Sequence, residues 1–219
     1  LELIDNFDEG LDLDEEGPGD LEMRLTNVIT NGNTDEGVKG TEDKECEPGD
    51  DDETQNADPA ACAVAGGSVT LVFRGLTTIG NGAEGTQIEE FGSGDVNADI
   101  RNLLATGNSD EGLQLGEDDE LGDVVAPAIT GGSMYAELHN VVTSMNDDGQ
   151  KIEALEFTGG SGTLTARLFN SVANDNDDDG IVVGREGGVQ GTLLLVNRET
   201  TGNGDDDLND DGVDITEIP

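Results

Sequence analysis

One phrase recurs along this chain and limits its folding more than any other feature. Asn27 and Asn33 stand six residues apart and lead into an acidic run that ends at Gly37. The pair Asn102 and Asn108 leads the same way to Gly112, and Asn140 with Asn146 leads to Gly149. Asn170 with Asn176 leads to Gly180, and Asn197 with Asn203 leads into Asp205, Asp206 and Asp207. Asn and Gly tolerate left-handed backbone angles and Asp caps turns, so each copy reads as an acidic turn that follows a strand. The last four copies start 38, 30 and 27 residues apart. A hairpin of two strands and two loops uses about that much chain, so successive acidic turns are expected at one end of a sheet.

Alternating apolar and polar residues mark strands at Leu21 to Ile29, Ser68 to Phe73, Met134 to Thr143, Ile152 to Phe157, Gly162 to Phe169 and Gly191 to Val196. In the fifth, Leu164, Ala166 and Leu168 share one face while Thr163, Thr165 and Arg167 take the other, as in a half-buried antiparallel sheet. Helical spacing of Val96, Ile100 and Leu104 behind a capping Asp95 predicts one short helix. The expected fold is all-β: a single antiparallel β-sandwich over residues 1–219, jelly-roll-like, with long acidic loops and at most that one helix. Residues 31–62 read as an acidic loop insertion, 105–123 as a second long loop, and 1–15 as an N-terminal arm.

Charge decides the setting. Fifty-one acidic residues face nine basic ones, a net charge of −42. Such self-repulsion strains a compact state in dilute salt, and molar salt relieves it by shortening the screening length to about 3 Å. The composition therefore reads as that of a halophile, with a calcium- or mineral-binding seawater protein as the rival. Nucleic acid and anionic membranes are excluded as partners, because phosphate contacts need Lys and Arg. No apolar run approaches the roughly 20 residues that span a bilayer, so no membrane insertion is expected. The chain starts at Leu1, which predicts a processed, exported form. Cys46 and Cys62 flank an acidic, Pro- and Gly-containing stretch with no His or further Cys beside it. A disulfide, and with it an extracellular or cell-surface location, is expected; two free thiols are the alternative.

Two segments match calcium-loop spacing. Asp175, Asp177 and Asp179 alternate before Gly180, with the Ile181 carbonyl and Glu186 completing an oxygen shell. Asp207, Asn209 and Asp211 begin a similar loop whose closing acid falls one residue short. Calcium is thus the one candidate cofactor, and a hydrated acidic turn is the reading that stands against it at both loops. Catalytic constellations are poor, paired carboxylates for glycoside hydrolysis being the one arrangement that so many Asp and Glu leave open. His139 is the only histidine, no Ser lies in a nucleophile-elbow frame, and sugar clefts want aromatic platforms where this chain has one Tyr and no Trp. A non-enzymatic role is expected.

Leu1, Leu3, Ile4 and Phe7 form an apolar start to an acidic arm, suited to completing a sheet in its own or a neighbouring subunit. The run from Gly19 to Val28, followed by a polar acidic insertion, resembles a segment of the camelysin/TasA-like exported proteins of haloarchaea and bacilli. That resemblance implies a β-sandwich subunit that builds extracellular fibres through donated strands. The functional expectation is a secreted structural subunit of a filament or surface layer, polymerising with itself in high salt or calcium. A halophilic viral capsid or spike subunit, or a monomeric secreted carbohydrate-binding protein, are the alternatives.

Overall fold

The computed structural model describes residues 1–16, 19–43, 67–90, 94–117, 132–154, 162–185, 190–210 and 213–219. Seventeen strands occur in these segments and no helix. They are β1 (Glu2–Ile4), β2 (Leu11–Glu16), β3 (Leu21–Asn31), β4 (Val38–Asp43), β5 (Val69–Ile79) and β6 (Thr86–Glu90). Then come β7 (Val96–Thr106), β8 (Leu113–Glu117), β9 (Met134–Ser144), β10 (Gln150–Ala154), β11 (Thr163–Phe169) and β12 (Val172–Asn174). The last are β13 (Ile181–Arg185), β14 (Gln190–Val196), β15 (Glu199–Thr201), β16 (Asn209–Asp210) and β17 (Asp214–Ile218).

Every pairing is parallel. One sheet runs β1-β3-β5-β7-β9-β11-β14-β17, with β12 and β15 alongside; the other runs β16-β13-β10-β8-β6-β4-β2. The antiparallel sandwich expected from the sequence, and implied by the fibre-protein resemblance, is therefore corrected. Consecutive strands never pair as hairpins; the chain alternates between the sheets and returns one coil further on. Parallel sheets are normally covered by helices on both faces. Here each crossover is itself a strand of the opposite sheet, so the two inner faces cover each other. This is a β-solenoid in which each coil visits both sheets, its first-sheet strand being split at the corner into β11 with β12 and β14 with β15 in two of the coils.

The expected helix at Asp95 to Leu104 is also corrected, because Val96–Thr106 is a strand. Its burial changes phase at Arg101 and Asn102, both outside, so Val96, Ala98 and Ile100 face inward before the corner and Leu103 and Ala105 after it. That phase change mimics a helical period. The same corner falls at Asn27, Gly75, Asn140, Asn170 and Asn197, all at positive φ. The ladders skip it: Thr26 pairs with Arg74 and Val28 with Leu76, with no pairing between Asn27 and Gly75. Asn takes this left-handed angle at the lowest cost after Gly.

Inward residues stack coil on coil. Leu25, Phe73, Ile100, Leu138, Leu168 and Leu195 form one such row. Aliphatic rows of this kind fill the interior, with Phe73 and Met23 among the largest fully buried side chains. The two expected loop regions each contain a strand, β4 within 31–62 and β8 within 105–123. The N-terminal arm is the first coil, with β1 beside β3 and β2 beside β4. The Cys46–Cys62 pair lies outside the described residues, as do Glu186 and Asp211.

Candidate functional site

The second Asn of each recurring phrase builds the solenoid's internal ladder. Asn6, Asn33, Asn81, Asn108, Asn146, Asn176 and Asn203 stack, each sending its backbone N–H and its Nδ2 to the Oδ1 of the next. Asn33, Asn81, Asn108, Asn146 and Asn176 are buried. The glycine that ends the phrase is required by close approach. A Cβ on Gly85 would stand 2.6 Å from the Gly112 carbonyl, and one on Gly112 would stand 2.8 Å from that of Gly149.

Between each ladder Asn and its glycine lie the acids, so the turns set carboxylates in two parallel rows along one edge. Glu9, Glu36, Glu84, Glu111, Asp148, Asp179 and Asp206 form the inner row, all immediately before or near the turn's close. Asp8, Asp35, Asp110, Asp147, Asp178 and Asp205 form the outer one, with Ala83 at the remaining place. Carboxylate oxygens come within 4.8 Å of one another in three groups: Asp8 with Glu9 and Asp35; Glu84 with Asp110 and Glu111; Asp178 with Asp179 and Asp205. Burial, then the charges of Glu111, Asp110 and Glu36, push Glu84 up to about 7. Burial also raises Asp148 to about 6, against the Asp179 N–H that lowers it. Lys39 lies 3.4 Å from Glu36, and Lys151 lies 2.9 Å from Glu111.

Of the calcium-loop residues named from sequence that are described, Asp179 alone enters such a group. Asp175 occupies a left-handed corner and is exposed. The Asp177 N–H donates to the Asn146 carbonyl one coil away. Ile181 is buried as the first residue of β13. Asp207 accepts from Asn203, while Asn209 donates to Asp179 Oδ2 at 2.8 Å. The oxygen donors therefore gather between coils and not within one loop. Sequence reading missed that because the partners are 26 to 27 residues apart.

A second acidic column is internal. Glu15, Glu42 and Glu90 pair in register at the inner face of the second sheet. Glu42 and Glu90 are fully buried. Glu42 Oε1 accepts from the Gly67 N–H at 2.7 Å and Glu90 Oε1 from the Gly94 N–H at 3.1 Å, so each ties the chain's return to its coil. Burial, and behind it the neighbouring Glu90 and Glu15, push Glu42 up to about 8, against the Gly67 N–H that lowers it.

The third feature is the outer face of the first sheet before the corner. Arg24, Val72, Asp99, Glu137 and Arg167 form one register row. Arg74, Arg101, His139 and Phe169 form the next. Asp99 binds Arg74 and, at 3.0 Å, Arg101 Nε. Although burial works the other way, those two arginines hold Asp99 below its ordinary value. Glu137 accepts from Tyr135 Oη at 2.8 Å and contacts His139 Nε2 at 2.9 Å, and these bonds, that of His139 foremost, lower its pKa. The His139 ring stacks on Phe169 with centroids 4.5 Å apart, and Arg167 lies over Tyr135 at 5.6 Å.

No protein-family model, curated protein or solved structure matches this chain.

Proposed function

We propose that this chain is a secreted structural subunit of a cell-surface filament, sheath or layer in a salty environment, a solenoid that lengthens by adding coil to coil. The observation that carries the reading is the one-way polarity of the asparagine ladder. From Asn6 to Asn176 each ladder asparagine gives its backbone N–H and Nδ2 to the Oδ1 of the next coil, so among the described residues Asn6 Oδ1 has no donor and the Asn203 backbone N–H no acceptor. The two surfaces are complementary, as are the outer edges of β1 and β17, which pair on one side only. Such head-to-tail contacts do not close and so give filaments. Leu1, Ile4 and Phe7 are exposed at the first coil and Leu3 is partly buried there; Ile215 and Ile218 are exposed at the last. Unpaired parallel edges with apolar residues are templates for another strand.

Cations belong to this reading. The three between-coil carboxylate groups offer only oxygen donors, the chemistry a hard ion such as calcium requires. Sodium or potassium at molar concentration would screen the same rows less specifically. Electron microscopy of the 219-residue chain in molar NaCl, with and without calcium, tests both parts. Filaments that Ile4→Asp shortens, and a calcium-induced rise in melting temperature that Asp178→Asn reduces, are expected. Monomers under every salt and calcium condition would remove the assembly reading.

A further inference from the structure

Four of the chain's six arginines, its one tyrosine and its one histidine lie on a single outward face, that of the first sheet before the corner. From β3 to β14 this face holds Arg24, Arg74, Arg101 and Arg167 against three carboxylates, Glu22, Asp99 and Glu137. It gathers four of the nine basic residues of a chain of net charge −42, with each arginine within 4.0 Å of a carboxylate on the same face. We infer that this face binds a linear carboxylate-bearing polysaccharide, a polyuronate, laid along the solenoid axis.

The side chains are positioned before any ligand arrives. Asp99 grips Arg74 and Arg101 from between them, and Glu137 holds Tyr135 and His139 by its two oxygens. Arg101 and Arg167 keep side-chain exposures of 45% and 46%. Asp99 takes the Nε–Nη2 edge of Arg101, whereas Arg167 uses Nη1 toward Tyr135 and Glu137 and keeps its Nε–Nη2 fork open to a partner. A planar fork reads a carboxylate with two parallel bonds. The Tyr135 ring and the stacked His139 and Phe169 add flat surfaces suited to sugar rings. Coils succeed one another at strand spacing, about 4.8 Å. A linear ligand along the axis can therefore span from Arg101 on β7, past Tyr135 on β9, to Arg167 on β11.

The mixture of charges selects the ligand class. Asp99 and Glu137 can accept from sugar hydroxyls while the arginines receive a uronate carboxylate, whereas a DNA phosphodiester backbone brings the charge without those donors. A second copy's acidic edge offers carboxylates without those donors. Molar salt also removes long-range attraction beyond about 3 Å, so recognition must come from contact geometry. Forks, rings and hydroxyl bonds supply that.

The test measures binding of alginate oligosaccharides to the full chain in molar NaCl, with dextran and oligo(dT) as comparisons. Saturable binding of alginate alone is expected. Arg101→Gln with Arg167→Gln should weaken it by at least about tenfold, and the corresponding Lys pair should weaken it less. Circular dichroism confirms folding, and should the Gln pair fail to fold, Tyr135→Leu carries the same expectation. Leu104→Thr, on the face beyond the corner, leaves binding unchanged. No alginate binding, equal binding by a folded Gln pair, or preference for oligo(dT) overturns the inference.

Discussion

Glu42 is fully buried among residues that supply no positive charge in the described parts of the fold. Its neighbours in register are Glu15 and Glu90, so desolvation and like charge act together to keep it protonated. A carboxyl whose folded pKa is raised contributes stability that is complete below its ordinary value of 4.5 and is lost as pH rises through about 8. The melting temperature is accordingly expected to fall between those limits. Glu42→Gln keeps a group that can accept from the Gly67 N–H and has no charge to lose. That variant should be the more stable of the two at pH 8, by a few kcal/mol at most, and nearly equal to wild type at pH 4. Thermal melts across that range check it, and an unchanged slope in the variant would show that other acids set the pH dependence.

At the level of elements, two repeating asparagines do different work. The first sits on the outside at a left-handed corner and bends one long strand into two faces. Its amide also reaches the preceding coil, as Asn140 Nδ2 does to Asn102 Oδ1 at 3.0 Å. The second is inside and carries the directional ladder. Asn108 receives two donors from Asn81 and sends two to Asn146. Asn108→Ala leaves the buried Asn81 N–H without its acceptor, at a cost of about 1–3 kcal/mol. Denaturant titration should show that loss with little change in slope. A neutral result would mean that the ladder is ornamental and that stacking of the apolar rows suffices.

Across the whole molecule, the fold concentrates like charges. A solenoid places the same residue of every coil on one line, so an acidic turn becomes an acidic edge of stacked carboxylates. Repulsion along that edge is strongest where screening is weakest. Raising NaCl from about 0.1 M to about 1 M shortens the screening length from roughly 10 Å to 3 Å. The melting temperature is expected to climb throughout that range. Insensitivity to salt would imply that Lys39, Lys151 and shared protons already balance the edge. The same stacking brings the arginines and the aromatic residues of separate coils together on the opposite kind of surface.

Much of the local structure was legible in the chain. The alternation of Leu164, Ala166 and Leu168 was correct, as was the acidic turn at the end of each Asn phrase, whereas the start of the phrase is a corner that in β3, β7 and β9 lies within the strand itself. The recurrence itself is structural, and it extends to Asn6 and Asn81, which were missed because Gly75 and the first coil lack the corner asparagine. Pairing direction was not legible, because alternation along one strand is identical in parallel and antiparallel sheets. Spacings of 38, 30 and 27 residues fit a hairpin pair as well as a coil. The clue lay in insertions: they fall only between a strand of the second sheet and the next strand of the first, which keeps every turn in register. Only tertiary stacking decided which carboxylates meet, since Asp178 and Asp205 are neighbours across coils and strangers along the chain. Strand alternation and turn chemistry act over a few residues and are written locally, whereas register between coils depends on contacts that form only when the whole spiral is wound.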